Sequence, residues 1–254
     1  MSSSEMVSAA IRTARSKGTP ALVAYITAGF PRLAGFGQLL SAVAEVADLV
    51  EVGVPFTDPM ADGATVQRSS RVALEQGVNL PWILQEITAA KPRAPVLLMS
   101  YLNPLLAFGV ERLPQALIKA GVAGLIVPDL PYEECADMRA ALEPAGCALV
   151  QFVTPVTPPE RMQMLCAASR GFVYAVTMTG TTGKNVALPP EVIDYFARVR
   201  KVSPVPVCAG FGIRGVDQVQ RLTPHVDGVI VGSALVEVIE RGEDPVAFLR
   251  TLRA

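Results

Sequence analysis

The chain has 254 residues, of which 51% are hydrophobic and 18% charged, and its net charge is −1. This composition excludes a disordered chain and supplies a sizeable core. The 22 Lys and Arg residues are scattered, which argues against a nucleic-acid groove or an anionic membrane surface as the main partner. No apolar run approaches about 20 residues, the length of a membrane-spanning helix.

The opening stretch, "MSSSEMVSAAIRTARSKG", has no apolar segment of the kind found in secretory signals. Its Ser and Arg content would suit a transit peptide, but Val7, Ile11 and Ala14 fall on one face of an amphipathic helix, and we favour a first helix here. The 4 cysteines lie far apart without metal-type pairing, so we expect a reducing cytoplasm and no metal site. With His225 as the single histidine, acid–base chemistry falls to carboxylates or tyrosines.

Short apolar runs recur at nearly even spacing, with helical patterns between them. They span residues 21–27, 48–52, 95–100, 123–127, 147–152, 171–177, 205–209 and 227–231. Each run is continuous rather than alternating, which is typical of strands covered on both faces. Strands that alternate with helices predict a parallel sheet, and this number of strands in about 250 residues predicts a (β/α)8 TIM barrel with an extra N-terminal helix. A doubly wound parallel sheet is the alternative. We expect one domain over residues 1–254, since no Pro- or Ser-rich linker divides the chain.

The second predicted strand contains an acid. In "DLVEVGVPFTDPMADG", Leu49, Glu51 and Gly53 point to one face of the strand, and Val50 and Val52 point to the other. Near the carboxyl end of a barrel strand, an inward Glu51 would lie at the mouth, where active sites form. Desolvation there would raise its pKa and suit it to donate and accept a proton. A core Glu held by an ion pair is the structural alternative.

Two further acids, Asp58 and Asp62, follow in a loop rich in Pro and Gly. Acids in such loops are usually solvated or cap a helix. A helical pattern begins after Gly63, so the residues alone favour Asp62 as a helix cap over a catalytic group.

Three other loops point to ligand binding. After the sixth strand, "TMTGTTGKN" (177–185) is suited to a lid that closes on a ligand. After the seventh and eighth strands come "AGFGI" (209–213) and "VGSAL" (231–235). Loops at these two positions of a barrel frequently hold a phosphate with backbone N–H groups, so we expect a phosphorylated small-molecule ligand.

The sequence resembles the α subunit of tryptophan synthase. The most specific likeness is "EVGVPFTDPMADG", and it continues through "ALVAYITAG", "LMSYLNPLLAFG", "GLIVPDLPYEE", "TPPER", "FVYAVTMTGTTG", "PVPVCAGFGI" and "DGVIVGSALVEVI", in order over almost the whole chain. The resemblance implies a (β/α)8 barrel that cleaves indole-3-glycerol phosphate to indole and glyceraldehyde 3-phosphate in a retro-aldol reaction. Phe30 and Ala64 depart from the family, which often has Asp and Pro there.

The resemblance also implies roles for individual residues. Glu51 would be the general acid–base, and Asp62 the carboxylate that accepts a hydrogen bond from the indole N–H. The expected substrate contacts are Tyr101, Tyr174, Thr182 and Phe211. The expected phosphate contacts are Gly183, Gly212, Gly232 and Ser233.

The implied partner is a β subunit in an α2β2 complex, and the pyridoxal phosphate cofactor of that complex belongs to β. No cofactor is expected on this chain. Asp58 is then an interface and loop-closure residue. Two alternatives remain open: a free-standing lyase that releases indole without β, and a barrel that serves chiefly as a binding or allosteric partner.

Overall fold

Eight parallel strands close into a barrel in the order of the sequence, β1 to β8, and β1 pairs with β8. The computed structural model describes residues 1–177, 188–210 and 212–253. The strands are β1 Ala21–Thr27, β2 Leu49–Gly53, β3 Val96–Met99, β4 Val122–Ile126, β5 Ala148–Val153, β6 Val173–Val176, β7 Val207–Gly210 and β8 Gly228–Val231. The predicted TIM barrel is therefore the observed fold, and the doubly wound alternative is wrong.

The helices surround the barrel. They are α1 Ser3–Ser16, α2 Phe36–Ala44, α3 Ala64–Glu75, α4 Leu80–Ala90, α5 Leu102–Phe108, α6 Leu113–Ala120, α7 Ala136–Leu142, α8 Pro159–Ala168, α9 Pro190–Val202, α10 Val216–Leu222, α11 Ser233–Glu240 and α12 Pro245–Thr251. Several have proline at their first or second position, where the N–H that proline lacks would have no partner within the helix. Within the described ranges, no helix is long and apolar enough to cross a membrane.

Alternate strand residues face two different cores. Leu49 belongs to the cluster inside the barrel, whereas Val50 and Val52 belong to the cluster between the strands and the helices. A parallel strand buried on both sides has no polar face to show, which is why these runs read as continuously apolar. The same alternation directs Glu51 into the barrel.

Helix α1 covers the amino-terminal end of the barrel. Its Val7, Ile11 and Ala14 are buried and join the interior cluster, and Ser8 Oγ donates a hydrogen bond to the carbonyl of Gly171. The predicted first helix with these three residues on one face is confirmed.

The predicted and observed strand boundaries differ by up to two residues. The run at 171–177 yields β6 Val173–Val176, and the run at 205–209 yields β7 Val207–Gly210. The helical pattern at 133–146 forms a 3-10 turn at Tyr132–Glu134 followed by the short α7. Strand ends depend on pairing with neighbours, which one strand's own residues do not specify.

Candidate active site at the mouth of the barrel

A cavity of about 410 Å³ opens at the carboxyl ends of the strands. It is lined by Tyr25, Glu51, Ala61, Asp62, Val66, Met99, Pro128, Phe152, Tyr174, Val176, Gly210, Gly212, Ile230, Gly232 and Ser233. The lining is largely apolar and aromatic, with a few polar groups that converge from separate elements, as is usual for small-molecule sites.

Glu51 lies on the floor of this cavity and has no exposed surface. Neither of its carboxylate oxygens has a hydrogen-bond partner among the residues that the structure describes. A buried carboxylate without a partner is costly as an anion, and burial raises the pKa of Glu51 to about 8. No ion pair holds it, so the structural alternative of a paired core Glu is wrong for the described residues.

Asp62 reaches the cavity from the loop after β2, and Tyr101 holds it. The hydroxyl of Tyr101 donates to Asp62 Oδ2 over 3.1 Å and accepts from the amide of Ala61 over 2.9 Å. The Tyr101 ring stacks on Phe56, with centroids 5.4 Å apart. Partial burial raises the pKa of Asp62, while the Tyr101 hydrogen bond opposes that rise.

Asp62 is not the cap of α3. The N-cap of that helix is Gly63, which forms no side-chain hydrogen bond, while the Asp62 carboxylate is bonded to Tyr101. The residues alone favoured the cap because Tyr101 is distant in sequence, and a loop acid next to a helix start usually serves the helix. The hydrogen bond from Tyr101 holds the carboxylate at the cavity instead of at the start of α3.

Tyr174 points into the barrel from β6. Its ring packs against Phe152 and Phe172, with centroids 4.8 Å and 6.1 Å away. A Cβ at Gly210 on the adjacent β7 would lie 2.5 Å from Tyr174 Cε1, so glycine there leaves room for the ring. Burial, with the nearby charges of Glu51 and Asp62, raises the pKa of Tyr174 well above its usual value and keeps its hydroxyl protonated.

The wall of the cavity at the ends of β7 and β8 is built from glycine and serine residues. Gly212 follows β7 with φ +62°, a conformation that glycine adopts readily, and Gly232 and Ser233 begin α11. The first amides of a helix have no partner within it, and the helix dipole is positive at this end. The lining residues that the structure describes include no Lys or Arg, so an anion here would rely on backbone N–H groups.

The remaining predicted residues fall elsewhere. Asp58 is exposed at the loop surface and accepts a hydrogen bond from Thr57 Oγ1 over 2.5 Å, outside the cavity lining. Thr182, Gly183 and Phe211, together with most of the predicted lid, lie outside the described residues.

Some lining residues were missed from the sequence. Tyr25, Met99, Phe152 and Ile230 are inward positions at or near the ends of β1, β3, β5 and β8. Their signal is the same alternation that placed Glu51, applied to strands without an acid. In the structure, Tyr25 pairs with Glu51 on the neighbouring strand.

Comparisons with known proteins agree with this geometry. The family model described as "Tryptophan synthase alpha chain" matches residues 11–252. A tryptophan synthase alpha chain from Nitratidesulfovibrio vulgaris (strain DP4) is 45% identical over 243 residues, covering 94% of this chain and 95% of the relative. One from Bacillus mycoides is 40% identical over 233 residues, covering 91% and 90%.

Solved structures give the same result. A Mycobacterium tuberculosis tryptophan synthase chain superposes with a TM-score of 0.89 at 35% identity, covering 97% of this chain and 96% of that one. The tryptophan synthase subunit alpha of Legionella pneumophila str. Paris gives 0.88 at 29% identity, covering 100% and 97%. With the family model spanning nearly the whole barrel, the chain belongs to the tryptophan synthase alpha chain family.

Proposed function

We propose that this chain cleaves indole-3-glycerol phosphate to indole and glyceraldehyde 3-phosphate. The observation that carries the proposal is the pair of carboxylates in one cavity, which differ in burial and in hydrogen bonding. Glu51 is buried without a hydrogen bond to any residue of the described ranges, whereas Asp62 accepts a hydrogen bond from Tyr101. Two acids in environments this different suit two roles, a proton donor and a fixed anion.

The reaction begins with proton transfer to the ring. Glu51, protonated near neutral pH, gives its proton to C3 of the indole, which becomes sp³ and leaves positive charge on the ring nitrogen. Asp62 accepts a hydrogen bond from that N–H and stabilises charge that develops along the reaction path. Because the charge is absent from the ground state, this interaction lowers the barrier rather than tightening substrate binding.

Bond cleavage then restores the acid. The Glu51 carboxylate takes the proton of the glycerol hydroxyl at C3′, the O–H electrons form the aldehyde C=O, and the C3–C3′ bond breaks. Its electron pair returns to the ring and neutralises the nitrogen. The products are indole and an aldehyde, and Glu51 is again protonated, so the cycle needs no cofactor on this chain.

The residues that line the cavity support this substrate. The aromatic and apolar lining beside Glu51 suits a flat indole, with Phe152 and Tyr174 at one wall. The glycine-rich wall at Gly212, Gly232 and Ser233 suits the phosphate. We assign Thr182, Gly183 and Phe211 to the same pocket on family resemblance, as a lid threonine, a phosphate contact and a substrate contact.

The partner is a tryptophan synthase β subunit in an α2β2 complex, in which β carries pyridoxal phosphate. Support comes from the family and from solved neighbours that are whole tryptophan synthases, one of them described as aminoacrylate-bound. We assign the contact with that partner to the loop after β2, in which Asp58 and Met60 are exposed.

Indole release from indole-3-glycerol phosphate tests both parts. The purified chain alone should release indole slowly, and a β subunit should accelerate release, with Asp58→Ala reducing the acceleration. Equally fast release with and without β would instead favour a free-standing lyase. No release under either condition would contradict the proposed reaction.

A further inference from the structure

The space directly above Glu51 is filled by a residue of another strand. Gly53 is the next inward position on β2, one side-chain step closer to the mouth. A Cβ at Gly53 would overlap the hydroxyl oxygen of Tyr25 and lie 2.6 Å from its Cζ. The phenol end of Tyr25 therefore occupies the volume between Glu51 and the cavity opening.

The base of the same ring lies against the start of α11, which follows the neighbouring strand β8. A Cβ at Gly232 would be 3.7 Å from Tyr25 Cβ, an ordinary contact. Tyr25 thus spans from the start of α11 to β2, and it is itself almost wholly buried, with 6% exposure. Its position accounts for a Glu51 side chain that lines the cavity yet has no exposed surface.

A chain of three hydroxyl groups sets the direction of the Tyr25 proton. Ser69 Oγ lies 2.9 Å from the carbonyl oxygen of Val66, which can only accept, so Ser69 is the donor. Thr27 Oγ1, 2.7 Å from Ser69, must then donate to Ser69, and the Tyr25 hydroxyl, 3.3 Å from Thr27, must donate to Thr27. Each hydroxyl has one proton, so Tyr25 has none left for Glu51.

This chain is built into the core. Thr27 is 2% exposed and Ser69 is fully buried, so water does not compete for their hydrogen bonds. Ser69 belongs to α3, the helix that follows Asp62, and Val66 lines the cavity. Tyr25 is therefore fixed in both position and hydrogen-bond direction by the helix that follows the loop carrying the second carboxylate.

The other titratable groups that face Glu51 do not stabilise its anion. They are Tyr174 on β6, Cys208 on β7 and Asp62 in the loop after β2, while β3 and the interior face of α1 contribute apolar side chains. Burial raises the pKa of Tyr25, Tyr174 and Cys208, and all three stay neutral. No cation lies among the described residues that line the cavity.

We propose that Tyr25 is a positioning residue that acts through Glu51. Its ring keeps water from the carboxyl group, and its hydroxyl group, with the proton directed to Thr27 and away from Glu51, does not stabilise the carboxylate. The catalytic consequence rests on the proposed cleavage: the Thr27–Ser69 chain sets the highest pH at which Glu51 is still able to protonate the indole ring.

Thr27→Val is the decisive variant. Valine is close to threonine in size but removes the acceptor of the Tyr25 proton, which becomes available to the Glu51 carboxylate. A hydrogen bond to the anion lowers a carboxyl pKa, so we expect the Glu51 titration to move down by about one pH unit. The measurement is carboxyl ¹³C NMR of the ligand-free chain between pH 5 and 10, in steps of ~1 pH unit. The signal that is missing from Glu51→Gln belongs to Glu51.

The same shift should appear in catalysis. The basic limb of the kcat/KM profile for indole-3-glycerol phosphate should move to lower pH by the same amount, because kcat/KM reports ionisations of the free enzyme. If the titration moves but no variant cleaves this substrate, the proposed function fails while the role of Tyr25 stands. If the wild type cleaves it and neither titration nor profile moves, the role of Tyr25 fails alone.

Tyr25→Phe distinguishes the effect of the hydroxyl proton from the effect of the aromatic ring. Phenylalanine keeps the shield but has no proton to redirect, so the titration of Glu51 should stay close to that of the wild type. The double variant Tyr25→Phe, Thr27→Val should restore what Thr27→Val alone lowers. A Tyr25→Phe shift as large as that of Thr27→Val, or a double variant that remains shifted, would overturn the proposal.

Two further variants serve as a substitute for Thr27→Val and as a control. Ser69→Ala removes the acceptor of Thr27 and lets the chain reverse, so it should lower the titration in the same direction by a smaller amount; it replaces Thr27→Val if that variant does not fold. Thr88→Val makes the same change on α4, where Thr88 bonds the carbonyl of Leu84, and it should leave the Glu51 titration unchanged. A shift in Thr88→Val equal to that in Thr27→Val would contradict the assignment.

Discussion

Glu51 and Asp62 show how two acids separated by a few residues come to have different chemistry. Glu51 lies on a strand between two neighbouring strands, which fix its direction, and none of the described residues forms a hydrogen bond with its oxygens. Asp62 sits in a loop, where a single side chain, Tyr101, fixes it. The strand position excludes water from Glu51, which suits proton transfer. The loop position gives Asp62 a hydrogen-bond donor, which suits a stable anion.

The comparison is tested most strongly by Glu51→Gln. Glutamine keeps the shape but neither donates nor accepts the reacting proton, so we expect kcat to fall by about 10³-fold, within the range of general acid–base catalysis. The measurement is steady-state release of indole. Glu45→Gln, an exposed acid at the end of α2, is the matched control and should retain full activity. Retention of most activity by Glu51→Gln would remove Glu51 from the mechanism.

Asp62→Asn should cost less, about 10²-fold in kcat, because asparagine still offers an oxygen to the ring N–H but has no charge to stabilise the cation. KM should change little, since the lost interaction belongs to the transition state. Asp137→Asn on the exposed surface of α7 serves as the control. A rise in KM with unchanged kcat would instead make Asp62 a binding group.

Glu51 should also make the protein less stable at alkaline pH. Its folded pKa, about 8, lies above its ordinary value of 4.5, so the folded state binds more protons than the unfolded state between these values. The free energy of unfolding should therefore fall as pH rises through this window, by up to about 1.4 kcal/mol per pH unit from this group. Denaturant titrations of wild type and Glu51→Gln at several pH values measure it.

The Glu51→Gln variant should lose that contribution and show a flatter dependence, most clearly between pH 6 and 8, a span of ~2 pH units inside the window. Identical slopes in the two proteins would mean that Glu51 is not desolvated in solution.

The smallest effect is expected from Tyr101→Phe. Burial raises the pKa of Asp62 and the Tyr101 hydrogen bond opposes it, so removing the hydroxyl should raise the Asp62 pKa further. Asp62 acts as an anion, and the acidic limb of the kcat profile should move to higher pH by about half a pH unit. A shift to lower pH would show that Tyr101 destabilises the carboxylate.

The barrel and the inward direction of Glu51 were predictable because they follow from local periodicity. Continuous apolar runs indicate strands buried on both faces, and period two within β2 puts Glu51 on the same face as Leu49; at a barrel mouth, an acid on the inward face suits an active site. Neither inference needs knowledge of which strands meet.

Partners across the fold were not predictable from the residues alone. The bond from Tyr101 to Asp62 and the chain from Tyr25 through Thr27 to Ser69 join residues on different elements. Such contacts depend on the register of neighbouring strands and on where a helix settles, which period and propensity leave open. The capping role first favoured for Asp62 failed for this reason.

Helix α1 closes one end of the barrel interior. Val7, Ile11 and Ala14 fill the amino-terminal end of the barrel interior, while the cavity opens at the carboxyl end. Substrate entry and product departure therefore share one route in the described part of the chain. A protein docked over the carboxyl end of the barrel would control both substrate entry and product release. It would receive the apolar product before bulk water does.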